Sequence, residues 1–290
     1  MSERRSCQRR AGSWTCDIDT GFATSLRGGA PLYWESTGTG TPVLLIHGLG
    51  LSGGAWWRTV DALSPTLRVI TFDHRGIGRS ESLRPSYTTE AMADDAVSIL
   101  DELGLESAHV YGISLGGMVA QQLALRHPDR IRSLVLGATQ PGGRRAVHAD
   151  AEVMAFFRQR SRLDKEEAAW ASVEFNYGPL CRAEHADRIA DDIARRLEQP
   201  FNAQAYRAQL FAAAMHNCYG RLDRIVAPTF VVHGALDRVI PVANAHLMAE
   251  RLPDCRLSVL EASGHLYPTE APEVDGAIGG FFEACDAARG

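Results

Sequence analysis

The segment that most constrains the fold is Gly112-Ile113-Ser114-Leu115-Gly116. It stands between a short β-prone segment at residues 108–111 and a helical segment at residues 115–127. A G-x-S-x-G pattern in this position is typical of a nucleophile elbow, a strained strand-to-helix turn that presents a serine. Glycines flank the serine because the strand and the helix must approach each other without a Cβ clash. The pattern predicts Ser114 as a nucleophile, with the helix N-terminus placed to stabilise an oxyanion.

Further apolar segments predict a parallel sheet around this elbow. A continuous apolar run such as Val43-Leu44-Leu45-Ile46 suits a strand that is covered on both faces. Similar strands are expected at residues 69–72, 131–136, 228–232 and 256–260, and a hairpin is expected within residues 22–35. Helices are expected at residues 55–63, 89–103 and 273–287. Strands that alternate with helices at this spacing favour βαβ units.

The alternation stops between the strands at 131–136 and 228–232. This region is rich in Ala, Arg and Glu and predicts amphipathic helices at residues 151–162, 165–175, 186–197 and 203–215. We therefore predict an α/β fold with a mostly parallel central sheet flanked by helices. Residues 1–140 and 222–290 form its core, and residues 141–221 form an inserted helical cap.

Composition limits the partners. The chain of 290 residues is 45% hydrophobic, which is enough to bury the core of one large α/β domain with an insertion. A net charge of -5 gives no electrostatic reason to expect nucleic acid or an anionic membrane, so a small neutral molecule is the expected partner. No apolar run is long enough for a signal peptide or a membrane span, which predicts a cytoplasmic protein.

Two residues downstream can complete the chemistry of Ser114. A serine hydroxyl needs an imidazole to take its proton, and the imidazole needs a carboxylate to orient it. Asp237 follows the strand predicted at 228–232, and His265 follows the one at 256–260. Alone, each is more commonly a turn or surface residue, but together they follow successive strands in the order Ser, Asp, His. We predict a triad of Ser114 as nucleophile, Asp237 as acid and His265 as base.

The turn His47-Gly48-Leu49-Gly50 follows an earlier strand and predicts an oxyanion hole. A tetrahedral intermediate on Ser114 needs two N–H donors, and the backbone of Leu115 can supply one. Leu49 can supply the other from this turn. His47 is expected to hold the turn by hydrogen bonding and not to take part in catalysis.

Taken together, these motifs resemble the α/β-hydrolase superfamily, in particular its branch of serine esterases, enol-lactonases and cofactor-free haloperoxidases. The resemblance extends from about residue 32 to the C-terminus. It includes Leu44-Leu-Ile-His-Gly48, Asp73-His-Arg-Gly-Ile-Gly-Arg-Ser80, the elbow, His233-Gly-Ala-Leu-Asp237, Gly264-His265 and Glu270-Ala-Pro-Glu273. It implies an enzyme that hydrolyses a carboxylic ester or lactone of a small, largely apolar molecule through an acyl-enzyme. Serine at position 114 disfavours epoxide hydrolases and haloalkane dehalogenases, which carry aspartate there.

Two alternatives stay open. The same fold can serve as a lyase or a cofactor-free perhydrolase. In addition, Gly48-Leu-Gly-Leu-Ser-Gly53 fits the fingerprint of a dinucleotide-binding (Rossmann) protein, with Asp73 ending the next strand. That alternative leaves Ser114, Asp237 and His265 without a role.

The cap holds several aromatic residues that can shape a pocket over Ser114. Of these, Trp170 and Phe175 are predicted to bind substrate. The histidines of the cap, His148, His185 and His216, are expected to be exposed to solvent. The chain contains no H-E-x-x-H motif, Walker motif, C-x-x-C pair or cluster of His and Cys, so we expect no metal and no cofactor.

Overall fold

The fold is built on one nine-stranded β-sheet. The structure is a computed structural model that describes residues 3–5, 18–26, 28–81 and 87–289. The strands are β1 (Glu3–Arg5), β2 (Ile18–Thr24), β3 (Pro31–Thr37), β4 (Thr41–Ile46), β5 (Leu67–Phe72), β6 (Ala108–Ile113), β7 (Ile131–Gly137), β8 (Thr229–Gly234) and β9 (Cys255–Leu260). They lie in the order β1-β2-β3-β5-β4-β6-β7-β8-β9.

Strand direction divides the sheet in two. The six strands from β5 to β9 in that order are parallel to one another. β1, β2 and β3 are antiparallel, and the pairing of β2 with β3 confirms the predicted hairpin. Arg27, which was expected in its turn, lies outside the described residues. Every residue of β6 and β8 is buried, which is why these strands appear in the sequence as short apolar runs.

Twelve α-helices accompany the sheet within the described residues. They are α1 (Trp57–Leu63), α2 (Thr89–Glu102), α3 (Leu115–Arg126), α4 (Ala151–Gln159), α5 (Lys165–Ala171), α6 (Val173–Asn176), α7 (Pro179–Glu184), α8 (Ala186–Glu198), α9 (Ala203–Met215), α10 (Ala243–Ala249), α11 (Tyr267–Glu270) and α12 (Glu273–Ala287). Thr88 caps α2, because its side chain accepts a hydrogen bond from the N–H of Ala91 at 3.1 Å.

Helices cover both faces of the sheet, and β4 shows how. Leu44 and Ile46 pack into the hydrophobic cluster that includes residues of α2 and α3. Val43 and Leu45 point to the other face and pack with residues of α1 and α12. All four side chains are fully buried, and burial of each contributes roughly 1.5–3 kcal/mol relative to exposure. The predicted α/β class and the flanking helices are confirmed.

The carboxyl ends of the parallel strands meet at one edge of the sheet. Ser114 follows β6 directly, Asp237 lies three residues after the end of β8, and His265 lies five residues after the end of β9. Loops at this edge of an open parallel sheet commonly form the binding site. The three predicted triad residues therefore reach one place from strands that are far apart in the sequence.

Six helices, α4 to α9, lie between β7 and β8 in the chain, where the helical insertion was expected. Asp192 of α8 ties this region to the helix layer over the sheet, since it accepts hydrogen bonds from Trp57 Nε1 at 3.3 Å and Arg58 Nε at 3.2 Å. Helices are found at all four predicted positions, although the one expected at residues 165–175 is divided at Ser172 into α5 and α6, and α7 was not predicted. The division into a core of residues 1–140 and 222–290 and a cap of residues 141–221 stays a prediction.

Two further findings concern the helices and the cysteine side chains. Within the described ranges, no helix has both the length and the apolar character needed to span a membrane. The cytoplasmic location stays a prediction. Cys181, Cys218, Cys255 and Cys285 are free thiols, and the two remaining cysteines, Cys7 and Cys16, lie outside the described residues.

Candidate active site

Ser114 is the single residue between β6 and α3. Its backbone angles are φ 58° and ψ −122°, a left-handed conformation that costs a non-glycine residue roughly 1–3 kcal/mol. Two hydrogen bonds hold it in place. The Ser114 N–H donates to the carbonyl oxygen of Gly137 at 2.9 Å, and the Thr139 hydroxyl donates to the carbonyl oxygen of Ser114 at 2.7 Å. The predicted strained strand-to-helix turn is confirmed.

The glycines of the elbow are required by close backbone contacts. A Cβ atom on Gly112 would collide with the carbonyl oxygen of Gly116, and a Cβ atom on Gly116 would collide with that of Ile46. A Cβ atom on Gly117 would lie 2.6 Å from the Cβ of Thr139. The strand and the helix therefore approach each other as closely as the sequence predicted. None of these three glycines has room for a side chain.

The structure brings Ser114, His265 and Asp237 into one hydrogen-bonded chain. His265 Nδ1 lies 2.7 Å from Asp237 Oδ2, and His265 Nε2 lies 3.0 Å from Ser114 Oγ. Because a carboxylate can only accept, Nδ1 carries the proton of the neutral ring. Nε2 is then free to accept the proton of the Ser114 hydroxyl. This is the geometry that a general base needs in order to activate a serine.

Asp237 is held ionised in a buried position. Burial raises its pKa, but attraction to His265 and hydrogen bonds from His233 and His265 outweigh burial and lower the pKa to about 2. Its other oxygen, Oδ1, accepts the backbone N–H groups of Val239 and Ile240, both at 2.8 Å. The carboxylate therefore keeps its charge and its orientation toward His265 at neutral pH.

Two residues to which the sequence analysis assigned no role hold the predicted triad in place. His233 Nε2 lies 2.7 Å from the carbonyl oxygen of Ile240 and 3.2 Å from Asp237 Oδ2. Glu270 accepts the N–H of Gly264 at 2.8 Å and the N–H of Gly178 at 2.8 Å, so it joins the loop that carries His265 to the inserted helices. Both stand in motifs visible in the sequence, and most of their partners lie within seven positions, but the bond between Glu270 and Gly178 spans 92 positions.

The predicted oxyanion turn lies against the nucleophile. A Cβ atom on Gly48 would lie 3.1 Å from Ser114 Cβ, and the N–H of Gly50 donates to Gln209 Oε1 at 2.8 Å. In the described part of the chain, the backbone N–H groups of Leu49 and Leu115 have no protein acceptor. Both residues line the same cavity as Ser114. These two groups are available as donors, and their role as an oxyanion hole stays a prediction.

His47 shapes this turn from inside the protein. Its Nδ1 accepts the N–H of Gly48 at 2.6 Å, and its carbonyl oxygen lies 3.2 Å from His74 Nε2. Its ring packs on Trp56 with a centroid distance of 4.9 Å. Burial lowers the pKa of His47 to about 3, with nearby His74 and His265 acting in the same direction. His47 is therefore neutral and bonded within the turn, as expected from the sequence.

The residues that fit a dinucleotide fingerprint have another role in the structure. Asp73 is fully buried, and its Oδ1 accepts the N–H of Gly53 at 2.7 Å. Its Oδ2 accepts the backbone N–H of Arg79 at 2.9 Å and the Nε of Arg79 at 3.2 Å. The carboxylate joins two loops and is not presented to a ligand. Within the described ranges, no three His, Cys, Asp or Glu side chains are grouped so that they could hold a metal ion.

A cavity of about 840 Å³ opens beside Ser114. Its aromatic lining comes from Phe157 and Phe211 of the inserted helices. The two aromatic residues predicted to bind substrate do not line it. Trp170 is 48% exposed, and Phe175 is buried against Phe156 with a ring centroid distance of 5.0 Å. Helical periodicity identified aromatic faces in this region but not which face is turned toward Ser114.

Two of the three cap histidines differ from the exposure expected of them. His148 is exposed as predicted, and His185 is half-buried. His216 is buried and lines the cavity, so its predicted exposure is wrong. Its Nδ1 lies 3.1 Å from the Thr89 hydroxyl, and burial lowers its pKa to about 3. The segment after α9 turns back toward α2, which removes His216 from solvent.

Comparison with known proteins places this site in a family. The model of the alpha/beta hydrolase fold family matches residues 41–272 of the chain. This range includes the elbow, the turn after β4, and the two residues, His265 and Asp237, that form a hydrogen-bonded chain with Ser114. The chain belongs to the α/β-hydrolases. The dinucleotide-binding alternative is therefore wrong.

Several known proteins are similar to this α/β-hydrolase over most of its length. A protein of Azorhizobium caulinodans named "Putative carbamate hydrolase RutD" is 32% identical over 252 residues, which is 85% of this chain and 92% of the relative. A poly(3-hydroxyalkanoate) depolymerase of Ectopseudomonas oleovorans is 30% identical over 78% of each chain. The solved structure of a thermophilic esterase from Thermogutta terrifontis covers 92% of this chain and 98% of its own, at 28% identity and a TM-score of 0.79. This α/β-hydrolase is accordingly a hydrolytic enzyme.

Proposed function

We propose that this enzyme hydrolyses a carboxylic ester or lactone of a small molecule through an acyl-enzyme on Ser114. The observation that carries the proposal is the continuous chain of hydrogen bonds from Asp237 through His265 to Ser114, at the wall of a large cavity. Two relatives, one named as an esterase and one as a poly(3-hydroxyalkanoate) depolymerase, agree with cleavage of an ester bond.

In the first half of the reaction, Ser114 Oγ attacks the substrate carbonyl carbon while its proton passes to His265 Nε2. Asp237 stabilises the imidazolium that forms, and its depressed pKa keeps it ionised for this purpose. The carbonyl oxygen becomes an oxyanion, which the N–H groups of Leu49 and Leu115 receive. The bond to the leaving oxygen then breaks, and that oxygen takes the proton from His265. In a lactone, the leaving hydroxyl stays on the acyl group.

In the second half, His265 removes a proton from water, which attacks the acyl carbon. The bond to Ser114 Oγ breaks, and the proton returns from His265 to the serine. The products are the carboxylic acid and the free enzyme. Donation from Thr139 to the carbonyl oxygen of Ser114 keeps the strained turn in position through both halves.

The test is direct detection of the acyl-enzyme. Mixed with stoichiometric enzyme, an activated p-nitrophenyl ester should release a burst of p-nitrophenol, and a phosphonate inhibitor should add its mass at Ser114. Ser114→Ala should lose the adduct and about a thousandfold or more of the rate. Ser258→Ala, at a half-exposed position on β9, serves as the control and should keep both.

The alternatives give different results in the same assays. A lyase that uses His265 only as a base forms no covalent adduct, so an active Ser114→Ala variant without an adduct would contradict the proposal. A perhydrolase passes its acyl group to peroxide, so added hydrogen peroxide would increase turnover of the acyl-enzyme. We expect no such increase.

A further inference from the structure

The cavity beside Ser114 is lined by charges of one sign. Among the residues that the structure describes, its lining includes five arginines and no aspartate or glutamate. The five are Arg144, Arg158, Arg160, Arg196 and Arg207. In the whole chain, acidic residues outnumber basic ones by 35 to 30. The cavity therefore has the opposite charge to the net charge of -5.

These arginines also differ from other arginines of the protein in their partners. Arg75 pairs with Asp95 at 2.6 Å, and Arg126 pairs with Asp94 at 2.9 Å. Among the described residues, no carboxylate lies within ion-pair distance of any of the five cavity arginines. Their charge is left for something that enters the cavity.

Arg160 is the most buried of the five, at 8% exposure. Its Nε has no hydrogen-bond partner in the described part of the chain, and its guanidinium lies 5.3 Å from the centroid of the Tyr206 ring. Tyr206 in turn packs against the predicted oxyanion turn, since a Cβ atom on Gly50 would lie 2.8 Å from Tyr206 Cδ2. A single aromatic ring therefore separates Arg160 from the turn that faces Ser114.

A buried guanidinium without a counter-charge is unfavourable, because it loses hydration and gains no partner. Its planar set of donors matches the two oxygens of a carboxylate better than a point charge does. The Tyr206 side chain lies beside this guanidinium and also hydrogen-bonds with Arg160, and Arg160 lines the cavity, where it can meet a carboxylate that enters. Arg196, which is half-buried, has only a 3.5 Å contact with the Ser172 hydroxyl and lines the same cavity.

We propose that the substrate carries a carboxylate remote from the bond that is cleaved, and that Arg160 binds this carboxylate. The other four arginines raise the local concentration of such anions at the cavity. This proposal rests on acyl transfer at Ser114 and names the substrate class for it, an ester or lactone with a free acid group. It replaces the neutral substrate that the net charge suggested.

The test compares acids with their own methyl esters, which differ in charge and little in shape. One pair is p-nitrophenyl hydrogen glutarate and its methyl ester, with the charge on the acyl side. The other pair is 4-acetoxybenzoic acid and its methyl ester, with the charge on the leaving group. We expect kcat/KM to favour the acid by roughly 10- to 100-fold in one of the pairs. The preference should shrink as salt is raised. Equal values within both pairs would overturn the proposal.

Variants then assign the preference to a residue. Arg160→Gln should lower the acid-to-methyl-ester ratio toward one, and Arg160→Lys should keep part of it because the charge remains. Arg162→Gln is the matched control, since Arg162 lies two residues away, is exposed and does not line the cavity. A ratio that stays at the wild-type value in both Arg160 variants would overturn the assignment. If Arg160→Gln does not fold, Arg160→Lys and Arg196→Gln decide.

Phosphonate labelling of Ser114 separates this inference from the proposed function. Labelling with no preference for acids contradicts only the carboxylate site. Absence of labelling in the wild type contradicts acyl transfer itself, whichever substrate is preferred.

Discussion

The carboxyl edge of the sheet and the inserted helices hold their functional side chains in opposite ways. At the sheet edge, Asp237 and His265 are buried, and each polar atom on the path to Ser114 has a partner. In the insertion between β7 and β8, Arg144, Arg158 and Arg207 are exposed and line the cavity, with no carboxylate partner in the described part of the chain. One region fixes the atoms that we propose to react, and the other offers charges and apolar surface to the proposed substrate. Changes in the first should therefore alter rate, and changes in the second should alter preference.

The largest effect is expected from Asp237→Asn. Asparagine has one side-chain oxygen where aspartate has two. It cannot accept both the Nδ1 proton of His265 and the backbone N–H groups of Val239 and Ile240, and this disturbs the tautomer of His265. We expect kcat to fall by about 1,000- to 10,000-fold, measured with an activated ester. Glu261→Gln, an exposed carboxylate near the same loop, is the control and should change kcat little. A similar loss in both variants would mean that Asp237 is not the acid partner.

Gly116→Ala should lower the stability of the protein by distorting the elbow. The added methyl group would overlap the carbonyl oxygen of Ile46, so we expect the free energy of unfolding to fall by about 3 kcal/mol, measured by urea denaturation. Gly276→Ala in α12 is the matched control because nothing lies near its added methyl group. That change should be neutral or raise stability by about 0.5–1 kcal/mol. Equal stability of the two variants would show that the elbow tolerates a wider backbone separation.

Asp275 gives the sheet region a pH dependence of stability. Burial raises its pKa to about 7, and hydrogen bonding from Thr59 opposes this only in part. The folded state therefore binds a proton more tightly than the unfolded state, so stability should fall as pH rises toward 7. Relative to Asp275→Asn, the wild type should lose about 2 kcal/mol of unfolding free energy between pH 5 and pH 7.

Parallel pH profiles of the two proteins would contradict the raised pKa of Asp275. Asp61→Asn, at an exposed position of α1, should follow the wild type and serves as the control.

The smallest effect is expected in the inserted helices. Phe157 lines the cavity, so Phe157→Ala should change the ratio of kcat/KM between long and short acyl esters by about tenfold. Trp170→Ala should change that ratio less than twofold, because Trp170 is exposed and does not line the cavity. The reverse result would restore the original assignment of Trp170 to substrate binding and would show that this region closes further over Ser114.

Local patterns were enough to predict eight of the nine strands, β2 to β9, and the position of the candidate site, but not β1. The last helix was expected at residues 273–287 and is found as Glu273–Ala287. Ser114, Asp237 and His265 were assigned from their places after predicted strands, and the structure joins them in one hydrogen-bonded chain through His265. This works because parallel strands place their carboxyl ends at one edge, so a residue just after each strand has little freedom in where it lies.

Long-range packing decided the rest. Periodicity marks an amphipathic helix but not the direction that its apolar face takes, which is why Phe157 and not Trp170 lines the cavity. His216 is buried because the chain folds back on α2, a contact between residues 127 positions apart. The five cavity arginines come from four stretches of the insertion that lie apart in the sequence, and the net charge of the chain conceals them. The sequence by itself determined the groups that we propose to react, since strand ends fix them locally, whereas only the tertiary structure decided the charge and shape of the space they face.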